Sequence, residues 1–409
     1  MRKDVAAMSP TPLPPEPGLT PDELVARAEA LVPALVERQA ETEKRTYYAE
    51  DTHKLFTDSG FYRILVPRRY GGYEFGLDTF MRVAMTLARG CPSTGWMFCL
   101  GAGHALIAAT IFDESAQHEL FRDGNFICPL VIGPGGTAER TAEGEWLLNG
   151  TWSYGSGAPY ATHFAGIAIA SGAQGNAPHP VLFVAPRDRW TRLDDWGNLL
   201  GLRGSGSHSV TFDNATIPDH FVIESDLNSI DVTSGTPGLA LHGNPQYSAA
   251  PLSAMCIEGA SLAVGMAQGA LDAYADLMRT KTTLGPIVVP RLEDPDFQRW
   301  YGQAAGQIAA AEAATLGAIR KWDEACAQGP FTPDKDLRIA LVCREAAELA
   351  WRAVDDIIFP TAGTSSAVRA GERIERVWRD MSTGHSHVGF AVVLTTVVAR
   401  GLAQIELAA

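Results

Sequence analysis

The chain of 409 residues is 46% hydrophobic and 20% charged, enough for two or three packed units, which excludes a disulfide-stapled miniprotein or a wholly disordered chain. With 47 acidic against 33 basic residues its net charge is −14, so no overall positive field draws it to phosphate backbones and no nucleic-acid partner is expected. The six cysteines are scattered without C-x-x-C pairs, and there is no long apolar run or apolar leader, which points to reduced thiols, a cytoplasmic location and no membrane association.

Residues 1–19 are proline-rich, as in Pro10-Thr11-Pro12-Leu13-Pro14-Pro15, and poor in large apolar side chains, so a mobile tail is expected. Structure begins at Thr20-Pro21-Asp22-Glu23-Leu24, where Thr20 can cap a helix, Pro21 fits its first turn and Glu23 can complete a capping box. Helical spacing of apolar residues continues to Asp58. After the Gly71-Gly72 turn, 77–90 and 93–112 read as two further helices, the second apolar on nearly every side and suited to the centre of a bundle. From Asn125 the pattern changes to short runs bounded by Gly, Pro and Asn, at 126–132, 145–154, 164–170, 181–184 and 207–212, the mark of a β domain. Helical periodicity returns near Gln246, over 249–279, 296–327, 334–358 and 372–407, with breaks at Pro286, Pro290, Pro330 and Pro360. The expected organisation is a tail (1–19), a helical domain (20–124), a β domain (125–240) and a second helical domain (241–409).

Between Trp96 and Phe112, His104 is the only ionisable side chain apart from Cys99, and Gly101-Ala102-Gly103 leaves room for a flat ligand. A buried imidazole needs a hydrogen-bond partner, so His104 is either a satisfied core histidine or a proton-handling group in a pocket. The run from Asn149 to Gly157 ends a strand in aromatic and small polar residues; it suits the face and edge of a planar ligand, or is an ordinary strand and turn. Gly201-Leu202-Arg203-Gly204-Ser205-Gly206-Ser207 could turn N–H groups and hydroxyls toward phosphate. It lacks the G-x-x-x-x-G-K pattern, and no G-x-G-x-x-G opens a helix after a strand. Near the C-terminus, Arg373, Arg376, Arg379 and Asp380 precede His385 and His387. On a helix these two rings diverge by about 200°. No other His or Cys cluster supplies further ligands, so one histidine facing a pocket is expected and a metal is not.

Five segments, in order, carry a resemblance that covers the chain from residue 20 onward. Gly60-Phe61-Tyr62-Arg63-Ile64-Leu65-Val66-Pro67 with Tyr70-Gly71-Gly72 comes first, then Ser93-Thr94-Gly95-Trp96 followed by His104. Gly150-Thr151-Trp152 with Ser156-Gly157, and the run from Gly201 to Ser207, fall in the β region. Ala362-Gly363-Thr364-Ser365, Glu375-Arg376-Val377-Trp378-Arg379-Asp380 and His387 close the set. This order resembles the acyl-CoA dehydrogenase fold in its flavin-dependent monooxygenase branch, the oxygenase component of two-component (group D) enzymes. The resemblance implies an α+β, mostly α fold, with an N-terminal helical domain, a central β-barrel-like domain and a C-terminal four-helix bundle.

The same resemblance assigns roles. Dehydrogenases of this fold carry a glutamate shortly after the Arg-Asp pair, whereas the run from Met381 to Gly389 contains no carboxylate and places His387 there, as in the monooxygenases. Reduced FMN or FAD, supplied by a separate NAD(P)H:flavin reductase, would react with O2 to a C4a-hydroperoxide that hydroxylates an aromatic or heteroaromatic small molecule. Ser156 would sit near flavin N5, His387 would assist or protonate the hydroperoxide, and His104 would face the substrate and accept or orient a proton. Trp96 and Trp152 would wall the pocket, with Ser205, Ser207, Arg279, Gly363 and Thr364 as further flavin contacts. Several phenol hydroxylases of this branch hold the phenolate with a serine on the first strand; Ile127-Cys128-Pro129-Leu130 has none, so indoles, polycyclic aromatics, amino sugars and thioethers stand beside phenols as substrates. The alternatives are an acyl-CoA dehydrogenase using Glu258 or Glu372, an N- or S-oxygenase of the same fold, and an inactive flavin-binding scaffold. Small and apolar residues over 304–318 and 388–398, with the family's dimer of dimers, imply a homotetramer.

Overall fold

Thr20 caps the first helix as its sequence requires. Its hydroxyl accepts from the Glu23 N–H, the Glu23 carboxylate accepts from the Thr20 N–H at 2.8 Å, and Pro21 occupies the first turn. In the computed structural model, which describes residues 12–171, 177–387 and 392–407, this helix, α1 (Pro21–Glu37), is followed by α2 (Gln39–Arg45), α3 (Glu50–Asp58), α4 (Leu77–Gly90), α5 (Pro92–Ala102), α6 (His104–Ile111) and α7 (Glu114–Leu120). Most of the expected tail, residues 1–11, lies outside the described residues. Two stretches expected as continuous helices are divided. The stretch 20–58 divides at Arg38 and again at Thr46, which takes a left-handed φ of 73°. The stretch 93–112 divides into α5 and α6 at Gly103 only locally: the backbone there stays helical, and any side chain would overlap the carboxyl of Glu258.

The central sheet comprises β1 (Leu130–Arg140), β2 (Trp146–Trp152), β3 (His163–Ala170), β4 (His179–Pro186), β5 (Thr191–Arg192), β6 (Val210–Ile217) and β7 (Val222–Ile223). The spatial order is β5-β6-β2-β1-β3-β4-β7, antiparallel throughout except for the parallel β1–β3 pair. The strand expected over 126–132 begins instead at Leu130 and runs through Gly133-Pro134-Gly135-Gly136, a composition that argues against a strand. Two register shifts against β3 absorb this stretch, and Trp152 lies so close over Gly135 and Gly136 that a Cβ at either would overlap its ring.

Helices return with α8 (Pro237–His242), α9 (Pro251–Thr280), α10 (Pro295–Gln328) and α11 (Pro333–Arg352). A π-helical turn (Ala353–Ile358) leads to α12 (Phe359–Ala362), α13 (Thr364–Ala367), α14 (Arg373–His385) and α15 (Val392–Leu407). Helices α9, α10 and α11 pack on one another and α15 packs on α11, giving a four-helix arrangement, while α4, α5 and α14 lie against α9. Gly265 and Gly269 permit the α4 contact: a Cβ at either would overlap the carbonyls of Met85 and Arg89. Two segments, Pro92–Ile111 and Pro251–Thr280, are long and apolar enough to cross a membrane, and both are mostly buried inside this protein. The apolar surface expected over 388–398 falls largely outside the described side chains.

Candidate active site

Helix α5 is buried on every side except at Leu100, and it presents Trp96 to the turn that follows β2. In that turn Tyr154 takes a left-handed φ of 68°, unusual for an aromatic residue, and Gly157 packs against Gly101 of α5. Between them Ser156 is 8% exposed, and a hydroxyl chain runs through it. The Trp96 indole N–H donates to Ser156 Oγ at 3.1 Å, Ser156 and Ser207 hydroxyls are 2.8 Å apart, Ser207 and Ser205 are 2.7 Å apart, and Ser205 Oγ donates to the Leu202 carbonyl at 2.7 Å.

The two ends fix the direction of this chain. An indole nitrogen only donates and a carbonyl only accepts, and each serine has one proton. Ser205 spends its proton on Leu202, so Ser207 must donate to Ser205 and Ser156 to Ser207. Ser156 is left with one free acceptor lone pair and no proton to give.

The loop that carries Ser205 and Ser207 is held from two sides. Asp380 of α14 accepts from the Leu202 N–H at 2.6 Å and from the Ser93 hydroxyl at 3.2 Å, and Ser93 Oγ in turn accepts from the Gly204 N–H at 3.2 Å. Burial pushes the Asp380 pKa up to about 7, partly offset by its hydrogen bond from Leu202 and the nearby Arg379. Arg379 donates to the Leu200 carbonyl at 2.8 Å and pairs with Glu43 of α2, which also meets Arg376 and Arg203. Gly201 sits so close to α14 that a Cβ there would overlap the Arg379 carbonyl.

Two of the histidines behave differently. His104 is 5% exposed and its Nδ1 lies 2.8 Å from the Cys128 carbonyl. Only a donor can bond a carbonyl, so Nδ1 carries the proton and Nε2 keeps the basic lone pair. Burial lowers its pKa from 6.5 to about 4, leaving it neutral at pH 7. The apolar side of His104, with Phe112, Phe126, Leu130 and Val184, encloses a cavity of about 20 Å³, room for one water. His387 follows α14 and meets the Trp96 ring edge to face at 5.3 Å. The protein around its ring pushes its pKa down toward about 4 although the residue keeps exposed surface, and on either count the ring is neutral at pH 7. His385 turns the other way, stacking on Trp351 and bonding Glu348 at 2.9 Å; α14 ends at His385, so the two rings part across the helix end rather than along one helix as expected.

Trp96, Ser156, Ser205, Ser207 and His387 are thus brought together, whereas His104, about two turns beyond Trp96, faces a separate cavity. Trp152 is not part of this group. Its side chain is 1% exposed, its N–H donates to the Ile167 carbonyl at 2.8 Å, and Phe183 and Phe212 meet it edge to face, so it belongs to the core of the sheet rather than to a pocket wall. Arg279 is exposed, paired with Asp276, and about 20 Å along α9 from Met266, which lies beside Trp96. Gly363 turns the chain with φ 89° next to Arg291, and Thr364 is exposed at the start of α13; neither joins the serine chain. Glu372 caps the far end of α14 from His385. Sequence reasoning passed over Ser93 and the clamping role of Asp380, whose contacts span 287 residues of chain and leave no local signal.

The donor set fits a reduced flavin. Ser156 offers an acceptor and no proton, which suits a ring N–H; reduced flavin carries one at N5, where oxidised flavin has a bare acceptor. Helices, a mixed sheet and a second set of helices converging on this buried hydroxyl chain define an acyl-CoA dehydrogenase-fold flavoprotein. Comparison with known proteins agrees. Residues 22–119 match the acyl-CoA dehydrogenase N-terminal domain and residues 257–392 the C-terminal domain. The chain is 31% identical to a "Pigment production hydroxylase" of Rhodococcus sp., over 90% of this chain and 93% of that one. It is 29% identical to the "Flavin-dependent monooxygenase, oxygenase subunit HsaA" of Rhodococcus jostii, over 88% and 93%. The solved structure of XiaF from Streptomyces sp. in complex with FADH2 and glycerol superimposes with a TM-score of 0.84 at 27% identity, covering 93% of this chain and 95% of that one. This chain belongs to the acyl-CoA dehydrogenase-fold flavin-dependent monooxygenases.

Proposed function

We infer that this chain is the oxygenase component of a two-component monooxygenase, which takes reduced FMN or FAD from a separate NAD(P)H:flavin reductase and hydroxylates an aromatic or heteroaromatic small molecule. The observation that carries this reading is His387 set edge to face against Trp96, at the end of a hydroxyl chain whose one free valence accepts an N–H. The segment from Met381 to His387, where the dehydrogenase reading requires a base, contributes no carboxylate, and Glu372 lies at the other end of α14. The relatives matched over most of the chain are hydroxylases and monooxygenases, so the dehydrogenase alternative is not favoured.

Reduced flavin, when bound, supplies the electrons that activate O2. Ser156 would accept the flavin N–H, with its own proton committed to Ser207. Trp96 fixes Ser156 and packs against His387. His387, neutral, can take up or return one proton on the oxygen side, and His104, with Nδ1 tied to Cys128, can accept the substrate's hydroxyl or ring N–H proton at Nε2. The protein is proposed to act in the cytoplasm, consistent with six free, buried cysteines. A homotetramer is the proposed assembly, in which Arg279 and the loop after it serve a neighbouring protomer's flavin.

The test mixes purified protein and chemically reduced FMN or FAD with oxygenated buffer in a stopped flow. Slow reoxidation in two phases is expected, with hydroxylated product when an aromatic substrate is present. One-step reoxidation at the rate of free flavin overturns the reading, and bleaching of oxidised flavin by an acyl-CoA under anaerobic conditions would establish the dehydrogenase instead.

A further inference from the structure

Glu258 has no place in the chemistry described so far. It projects from the first third of α9, is 4% exposed, and lies against Gly103 so closely that a side chain there would overlap its Oε1. Gly103 lies between α5 and α6, the residue before His104, and Trp96 is seven positions back on the same helix, beside Ala263 and Met266 of α9. Glu258 therefore lies at the seam of α5 and α9, against the residue that precedes His104.

No Arg, Lys, His or backbone N–H among the described residues bonds this carboxyl; desolvation alone shifts its pKa, which rises to about 8. The titratable groups near it are Cys99 on α5 and Cys256 on α9, both thiols held protonated by burial. Asp336 of α11 lies toward the start of α9, bonded to the Ser253 N–H and facing Cys256. A carboxyl that only filled space here would be more stably replaced by Leu or Met, because a buried polar group without a partner is destabilising. The missing partner is best supplied by a ligand.

We propose that Glu258 is a substrate-binding residue, a neutral carboxylic acid that donates a hydrogen bond to a carbonyl or hydroxyl oxygen on the aromatic molecule held beside His104. This rests on the oxygenase reading above and adds the polar end of the substrate to it. His104 faces the group whose proton is lost, and Glu258 reads an oxygen acceptor elsewhere on the same molecule. As pH rises through about 8 the acid ionises, the donor is lost, and an oxygen acceptor is repelled.

The experiment compares two probes, 4-hydroxyacetophenone and 4-ethylphenol, which differ in one acceptor oxygen. Binding is measured by calorimetry to the anaerobic protein carrying reduced flavin. Wild type is expected to bind the ketone about tenfold more tightly at pH 6.5, the size of one well-made buried hydrogen bond, and to lose that preference above pH 8. Glu258→Gln, whose amide still donates, should keep the preference but lose its pH dependence; Glu258→Leu should abolish it at every pH. An infrared difference spectrum, wild type minus E258Q at pH 7, should show the carbonyl stretch of a protonated acid that shifts when the ketone is added. A wild type that does not prefer the ketone, including one that binds neither probe, overturns the proposal, as does an E258L protein that folds and retains the preference. Reoxidation of flavin by the wild type is followed separately: if it matches free flavin the oxygenase reading fails, whereas slow two-phase reoxidation with no role for Glu258 in probe choice removes this inference alone.

Discussion

Substituting Ser156 by alanine isolates the fixed direction of the hydroxyl chain. In the folded protein Ser156 accepts from Trp96 and donates to Ser207, and both neighbours are buried. Removing its oxygen orphans the indole N–H, a loss of about 1–3 kcal/mol of stability. The effect on flavin is more specific. The free lone pair of Ser156 accepts an N–H, present at N5 of reduced flavin and absent from oxidised flavin, so wild type should favour the reduced form by one hydrogen bond, about 0.5–1.5 kcal/mol, or roughly 2- to 12-fold in Kd. S156A should erase that margin by weakening reduced flavin while leaving oxidised flavin nearly unchanged. Equilibrium dialysis of each redox form under anaerobic conditions measures both constants on one preparation. Equal weakening of the two forms would refute the reasoning, because it would mean that Ser156 acts through general packing. Selective weakening of oxidised flavin would mean that the chain runs the other way and that Ser156 has a proton to give.

His387→Ala should turn two-phase reoxidation of reduced flavin toward a single fast phase even without substrate, whereas His104→Ala should keep both phases and release hydrogen peroxide in place of product, a loss of about 10²- to 10⁴-fold in coupled turnover. The pH dependence of stability tests the burial of His104. Its folded pKa of about 4 lies below the unfolded 6.5, so the unfolded chain binds the additional proton between these values and stability is lost as pH falls from about 6.5 toward 4. The full difference is roughly 3 kcal/mol, so the stability gap between wild type and H104Q in urea melts should narrow by about that much across the window. Asp380→Ala strips the acceptor from the buried Leu202 N–H and Ser93 hydroxyl; it should lower the melting temperature and, by releasing the loop that orders the serine protons, shrink the preference for reduced flavin as S156A does. Light scattering should give a tetramer mass at micromolar concentration, and a monomer mass would remove the proposed assembly.

How far the sequence carried depended on whether a feature was local. Thr20 and Glu23 are three residues apart and their capping box is as expected. The change from helix to strand followed visible changes in periodicity and in Gly and Pro content, whereas helix returns at Pro237, ahead of the expected return near Gln246. The need for glycine at 103 was not legible, because Gly101-Ala102-Gly103 lies in an apolar run that reads as helix throughout; the backbone there stays helical, and the carboxyl of Glu258, from a distant helix, occupies the space a side chain would need. Trp152 went astray for the opposite reason. An aromatic residue at a strand end suits a ligand wall and a sheet core equally well, and the deciding neighbours, Phe183 and Phe212, come from strands far along the chain. The Gly-Pro-Gly-Gly stretch in β1 hid a strand because composition carries no information about the bulges that accommodate it.

The same distinction explains why the site needs all three parts of the chain. Ser93 lies in the first helical part, Leu202, Ser205 and Ser207 in the sheet part, and Asp380 in the last helical part, and one carboxylate bonds across all of them. Leu202 stands at φ 52°, a left-handed conformation that a leucine adopts only when surrounding contacts impose it. Its N–H is fixed by Asp380 and its carbonyl receives both the Ser205 hydroxyl and the Trp196 indole N–H at 2.9 Å. That carbonyl is the terminal acceptor that orders the serine protons, so the orientation of Leu202 determines the direction of the chain and with it the lone pair left on Ser156. A carboxylate on α14 thereby sets the hydrogen-bonding character of a hydroxyl in a turn after β2 without touching it. The Arg-Asp pair of α14 holds the loop in the conformation that leaves an acceptor on Ser156.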